Sequence, residues 1–431
     1  MGGKAILLVV ISFSLMFTVV KYNSTNTTSN AVERLTSYYI KTNAHNIASS
    51  AANIAANELF KNPNWSGYAH DTLYMNGGYA VISVNKPANA KAKFDAKAVY
   101  TVYYAGQEIK EESRVNFVLS ATNYSRFGYY TKTWGSGYLV TGDTIDGPFH
   151  TQDILNTLGS PVFLGKVTTK NGIKMEGNKY GFGAAKPEFT GGYETPVDVP
   201  FTLNTSALQG VATTGGKLFQ DPSGNDLDIR LVFKSNGTVD WSKRKTGTSS
   251  WSTPINAKLD TLASNGVIWN KKGNLYLSGT VNGKYTVGTA TGGSSTGNVY
   301  LENDIVYRND PLKFLSGGKT ITNPDCQDML GIVAQNQVVV KDNAANRNDI
   351  NIHAALFNYG GGISVEGLTS SKPNMGIMRI HGSLIENTAQ TTGYTNGAGY
   401  NQVIKYDKRY RNSTPPSFPA TTSYEIVSWF E

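Results

Sequence analysis

A run of 16 uncharged residues, Ala5 to Val20, lies between Lys4 and Lys21 and limits this chain more than any other stretch. Its apolar members are Ala5, Ile6, Leu7, Leu8, Val9, Val10, Ile11, Phe13, Leu15, Met16, Phe17, Val19 and Val20, which cover every side of a helix. At ~1.5 Å per residue such a helix spans about 24 Å, short of the ~30 Å hydrocarbon core of a bilayer. Lys4 and Lys21 can snorkel to the two surfaces and Tyr22 suits an interface, so a slightly thinned membrane span is feasible. Two other readings stand beside it. A cleaved secretory leader has an apolar region of this length, although no small-x-small site follows Val20. A buried core helix would need protein on every face. The expectation is an uncleaved single-pass anchor (residues 1–62 as a membrane-anchor and stem helix), with the remainder outside the cytoplasm in the cell envelope.

After a polar interruption, Tyr22 to Asn30, the chain turns helix-periodic again. Ala44, Ile47, Ala48, Ala51, Ile54, Ala55 and Leu59 recur at helical spacing and mark a packing face. That face is mostly alanine, so whatever packs there can approach closely. Asn62-Pro63 ends the pattern, because a residue before proline is pushed out of the α region. The stripe either packs on the chain's own head or is shared with stems of neighbouring subunits.

The 431 residues suffice for two or three domains with proper cores. A single cysteine, Cys326, excludes an intrachain disulfide, so stability must come from packing. With 45 glycines, 25 tyrosines and 16% charged residues, the composition resembles an extracellular β protein more than a cytosolic enzyme. Net charge is +8, but the basic residues are scattered. Lys243-Arg244-Lys245 and the group Lys405, Lys408, Arg409, Arg411 are the local clusters, read as solvated surface or as contacts to anionic envelope polymers or lipid. There is no nucleic-acid motif, and no cofactor is expected.

Past the stem the texture is β. Residues 72–130 carry runs such as Tyr79–Val84, Val99–Tyr104 and Val115–Leu119, with turns at 87–92 and Ala105-Gly106, and read as a small antiparallel domain covered by the helix. From 135 to 400, short apolar runs end repeatedly in Gly, Asn or Asp, as in Gly137–Asp143, Asn274–Val281, Leu330–Val340 and Met378–Ile385. That texture fits a β-helix-like solenoid, whose coils turn tightly and stack aliphatic side chains. An antiparallel sandwich is the competing reading. An insertion is expected at about 172–262, with a hairpin turning at Asn236-Gly237. Residues 401–431, aromatic and proline-rich, are expected to cap the open end of the coils. The fold class is mainly β with a long N-terminal α-helical stem.

Candidate chemistry is sparse. Asp143, Asp146 and His150 are the best catalytic constellation, since glycan chemistry wants two carboxylates facing one groove or an Asp orienting a His; Asp beside Gly is also ordinary turn chemistry. Asp304, Asp310, Asp325 and Asp328 lack the dense Asp-x-Asp spacing of a calcium loop and read as turn caps, with no metal expected. Cys326 reads as a packed thiol, and His353 and His381 as outward, hydrogen-bonded residues. Tyr129, Tyr130, Tyr394 and Tyr400 are candidates for surface adhesion, or for packing between strands.

Ser37-Tyr-Tyr, Thr42-Asn-Ala-His-Asn-Ile-Ala48 and Ala51-Ala-Asn-Ile-Ala-Ala56, behind the apolar run, resemble PilX-like minor pilin stems. Thr141–Thr151, Asp328–Ala334, Gly382–Asn387, Tyr406–Tyr410 and Pro415–Pro419 resemble an uncharacterised bacterial cell-envelope family. The resemblance implies a membrane-tethered, pilus- or secretion-associated structural protein whose partners are the membrane and apparatus subunits, with no activity assigned. Type IV prepilins carry a glutamate at the fifth mature position; counted after Gly3, that position is Leu8. The departure speaks against a major-pilin role and leaves room for an accessory or tip subunit. The alternatives are an envelope glycan lyase or hydrolase on a β-helix scaffold, and a surface adhesin.

Overall fold

A computed structural model describes residues 2–62, 65, 72–85, 92–104, 106–293, 295–315, 320–394 and 396–430. Pro63, the turn residues 87–91 and Ala105 lie outside the described residues. The chain divides into two compact units, one of Met1–Ala121 with Ser423–Glu431 and one of Thr122–Thr422.

The first unit begins with α1, Gly2–Lys61, a single helix of 60 residues. The polar stretch Tyr22 to Asn30 does not interrupt it. The Thr27 and Thr28 hydroxyls donate to the carbonyls of Asn23 and Ser24, so these side chains bond the preceding turn without displacing the helical ladder. Ser12 and Thr18 do the same toward Leu8 and Ser14 within the apolar run. Between Ile6 and Val20, twelve large apolar side chains are 49% to 73% exposed.

Further along α1 the environment inverts. Ala44, Ile47, Ala48, Ala51, Ala55 and Leu59 are buried, joined by Ile40, Ala52 and Ala56. Ile54, placed on the same face by its spacing, is 39% exposed. At about 100° per residue it falls outside the arc that runs from Ile47 round to Ala56. The buried face lies on a five-stranded sheet made of β1 (Thr72–Met75), β2 (Gly78–Asn85), β3 (Ala92–Tyr104), β4 (Gln107–Asn123) and the C-terminal strand Ala420–Phe430, in that order. The first four pair antiparallel. Ala80, Ala92, Ala96 and Ala98 of β2 and β3 share one core with the helix alanines. Small residues on both sides let helix and sheet backbones come close. Phe94 and Phe117 stack at 4.4 Å, with Trp429 over Phe117 at 5.1 Å.

The second unit is a stack of parallel ladders, not an antiparallel sandwich. Its first coils are three-sided. Leu139 pairs with Thr157, Thr144 with Val162 and Phe149 with Val167, eighteen positions apart on each side. Elsewhere Leu231, Leu277, Leu301, Val340 and Val365 stand in register on successive strands, all within the interior core. A second row runs Trp269, Gly288, Val333, Phe357, Ile385, Tyr130. Gly288 is required there: a Cβ would stand 2.3 Å from the Trp269 ring.

The order of strands in the stack is not their order in the chain. Lys217–Phe219, Val267–Asn270, Lys284–Thr289, Met329–Ala334, Ile350–Asn358 and Asn374–Thr388 pair successively in parallel. Asn374–Thr388 then pairs with Tyr129–Thr133, which continues to Phe149–Thr151, Val167–Thr169 and Tyr193–Glu194. The strand that opens the stack in sequence therefore sits in its middle.

Two expected segments change character. Residues 172–262 are no separate insertion, because Ile173–Glu176, Lys217–Phe219 and Leu227–Phe233 are themselves rungs of the stack. The hairpin across Asn236-Gly237 is present, with Leu227–Phe233 antiparallel to Thr238–Lys245. Residues 401–431 are not one cap: Gly399–Tyr406 extends the ladder on Asn374–Thr388, Tyr410 and Phe418 are buried in a core with Phe357 and Ile385, and Ala420–Phe430 joins the small sheet.

The alanine face sets a test. Ala51→Leu inserts volume where helix and sheet are in contact and is expected to cost about 1–3 kcal/mol, read as a lower Tm. Ile54→Ala, off the face, should cost less; the reverse ranking would contradict the helix orientation.

Candidate functional site

Asp143, Asp146 and His150 are not brought to one groove. Asp143 sits at a coil corner, where its Oδ2 accepts the Val140 N–H at 2.7 Å and partial burial raises its carboxyl above the usual range. Asp146 is half-buried on the neighbouring turn. His150 is fully buried, its ring stacked on Tyr130 at 5.1 Å and its Nδ1 2.7 Å from Thr168 Oγ1. No hydrogen bond joins the three among the described residues. Burial pushes the imidazole down to about 4, against the pull of the Asp198 carboxylate. Asp198 in turn is held by Lys170 at 2.9 Å and Gln152 at 2.9 Å. The acid nearest in effect to this histidine is thus one that sequence spacing does not suggest, because Asp198 arrives on a distant segment.

The other aspartates act on backbone. Asp304 accepts the Asn351 N–H, Asp310 the Leu312 N–H, and Asp328 the Gly283 and Asn309 N–H groups. Asp325 pairs with Lys313 at 3.7 Å. Among the described residues, no three His, Cys, Asp or Glu side chains stand close enough to hold a metal ion. Cys326 is buried under the Arg409 guanidinium, 3.1 Å from its Sγ, and burial raises its thiol.

His353 and His381 do not point outward. They occupy paired positions on adjacent strands with rings 5.8 Å apart. His353 Nδ1 accepts the Tyr307 N–H, and burial lowers the His381 imidazole to about 4. Of the adhesion candidates, Tyr129, Tyr130 and Tyr400 are buried and Tyr394 is 42% exposed. One arginine of each basic cluster is engaged in an ion pair. Arg244 bonds Asp228 at 2.9 Å while stacking on Trp251, and Arg409 bonds Asp407 at 2.6 Å.

Glu386 is a group that sequence reasoning passed over. It is buried in the coil interior, where Tyr129 Oη donates to its Oε2 at 2.9 Å and the Ile363 N–H to its Oε1 at 2.6 Å. Desolvation pushes its carboxyl from 4.5 up to about 8 despite both donors. Nothing in the local run Gly382–Asn387 distinguishes this glutamate from a surface one; only its register opposite Thr131 and Asn358 buries it.

The most distinctive surface is the front of α1. It is the one helix among the described residues that is long and apolar enough to cross a membrane, and no protein covers its apolar window.

No family model matches the sequence. No curated protein matches it either. Among solved structures, the crystal structure of competence-associated pilin ComZ from Thermus thermophilus matches at 11% identity and a TM-score of 0.34, over 91% of this chain and 97% of that one. A likeness of that size leaves the fold to be read from the chain's own geometry.

The buried glutamate predicts a pH dependence. Between 4.5 and about 8 the folded chain holds a proton that the unfolded chain releases, so this group's contribution to stability falls as pH rises. Burial lowers His150, His353 and His381, so their contribution rises with pH, opposite in sign to that of Glu386, and is mostly complete by about pH 7. Denaturant midpoints should therefore drop between about pH 7 and 8 in the native protein and stay level in Glu386→Gln.

Proposed function

We propose that this chain is a membrane-tethered, pilin-like protein of the cell envelope with a structural or interaction role. One observation carries the reading: α1 is continuous, apolar and uncovered in front, and packed by alanines onto the small sheet behind.

The energetics favour a lipid environment for the front. Burying a large apolar side chain is worth about 1.5–3 kcal/mol. Twelve such side chains, each roughly half exposed, leave on the order of 10 kcal/mol unrealised in water, comparable with the whole stability of a domain. Lipid can realise it. The hydroxyls of Ser12 and Thr18 already donate to carbonyls of their own helix, so those donors would enter hydrocarbon satisfied. Lys4 and Lys21 supply the ends. In this reading residues 5–20 span the bilayer, and the sheet and coil stack lie outside the cytoplasm.

The stem's resemblance to PilX-like minor pilins suggests pilus or secretion-apparatus subunits as partners. Leu8, where a glutamate would be expected, favours an accessory or tip position over a bulk subunit. A glycan-active enzyme finds less support, because His150 is stacked and buried and the Asp143 carboxylate is engaged by backbone.

Fractionation with N-terminal analysis of the mature chain tests the proposal. The chain should partition with membranes, resist carbonate extraction, dissolve in detergent and retain residues 5–20. Recovery as a soluble product starting near Lys21 would overturn it.

A further inference from the structure

One corner of the coil stack presents a column of side chains with hydrogen-bonding capacity to spare. Ala334, Asn358, Glu386 and Thr131 stand in register across four adjacent strands. The residue after each one, Gln335, Tyr359, Asn387 and Lys132, therefore forms the next row along the corner. At ~4.8 Å per strand this row runs about 14 Å along the stack axis. All four line an open pocket of about 430 Å³, together with Asn336 and Phe201.

The chemistry of the column is specific. Phe201 and Tyr359 stack at 5.4 Å and 24° between ring planes, giving an aromatic platform. Phe201 is held in place by further stacking on Phe357 at 5.1 Å and Tyr130 at 5.4 Å. Gln335 Oε1 accepts the Thr291 N–H at 2.9 Å, which fixes the side chain, and among the described residues its NH2 has no partner. Asn387 Nδ2 donates to the Gly360 carbonyl at 3.3 Å, and its side-chain carbonyl oxygen has no donor among the described residues. The Asn336 side-chain amide and the Tyr359 hydroxyl make no protein hydrogen bond among the described residues, while the Asn336 backbone N–H donates to Gly297. Lys132 is the one charged residue lining the pocket, and it forms no ion pair among the described residues.

We propose that this column binds an acidic polysaccharide, a linear chain of uronate-type sugars. The apolar face of a sugar ring suits an aromatic platform, vicinal hydroxyls suit convergent amides, and a carboxylate suits an unpaired ammonium. The Lys132 ammonium in the lining favours an anionic ligand, while the Asp226 carboxylate stands behind Thr296 and accepts its hydroxyl at 3.3 Å; the length of the row suits several sugar units in line. The site is independent of how the chain is tethered, and it needs no catalytic group.

The test is isothermal titration calorimetry on the full chain in detergent micelles. Hexagalacturonate is the probe, with maltohexaose and inorganic polyphosphate for comparison. Hexagalacturonate should bind, maltohexaose at least tenfold more weakly, and polyphosphate no better than maltohexaose. Lys132→Ala, an exposed substitution, should weaken hexagalacturonate binding roughly tenfold or more. Tyr359→Ala should weaken it further, and Lys405→Ala, on an exposed lysine that does not line the pocket, should leave it unchanged. No binding of hexagalacturonate at millimolar concentration would overturn the proposal. So would equal affinity for maltohexaose or polyphosphate, or affinity undiminished in Lys132→Ala.

Discussion

The close packing of alanine on alanine between α1 and the small sheet is the interaction on which the first unit depends. Ala48, Ala51, Ala52 and Ala55 meet a sheet face carrying Ala80, Ala96 and Ala98, so neither side holds the other at arm's length. The same residues are the strongest helix formers, which favours continuing the helix through the packed region. One element thus has two solvents. Its rear is dry against protein, and its front, from Ile6 to Val20, is bare. The polar stretch between them stays helical because its threonines bond back to their own helix.

The coil stack obeys a different constraint. Every rung must satisfy its backbone on the rungs above and below, and aliphatic ladders such as Leu231, Leu277, Leu301 and Val340 fill the interior. Glu386 enters that interior with partners close by, Tyr129 and the Ile363 amide. Its displaced titration follows directly from the burial that the ladder imposes. At the corners the ladder makes no such demand, and side chains there are free to vary in chemistry. The row Gln335, Tyr359, Asn387, Lys132 lies at such a corner, and its unspent donors and ring face give it a potential that the interior lacks.

Much of this was legible in the chain. Apolar residues without charge declared the front of α1, and 3.6-residue periodicity declared most of its packed face. Ile54 was misplaced because spacing alone does not say where a buried arc is centred. Short Val, Ile and Leu runs ending in Gly or Asn declared stacked coils, and Asn236-Gly237 declared a hairpin. What stayed hidden depends on which rung meets which. Tyr129–Thr133 pairing with Asn374–Thr388, and the C-terminal strand joining the small sheet, are long-range choices with no local signal. The same holds for side chains: His150 meets Thr168 and Tyr130 instead of Asp143 or Asp146, and the His353–His381 pair exists only through register.

The central claim is that lipid, not protein, surrounds residues 5–20 of a helix that continues unbroken into the folded unit. A nitroxide at Phe13 tests it most directly, introduced as Phe13→Cys in a chain whose native thiol, Cys326, is buried. In reconstituted vesicles the account predicts strong relaxation by oxygen, which concentrates in hydrocarbon, and weak relaxation by a water-soluble nickel chelate. Strong relaxation by the nickel chelate, or an immobilised label shielded from both, would contradict it.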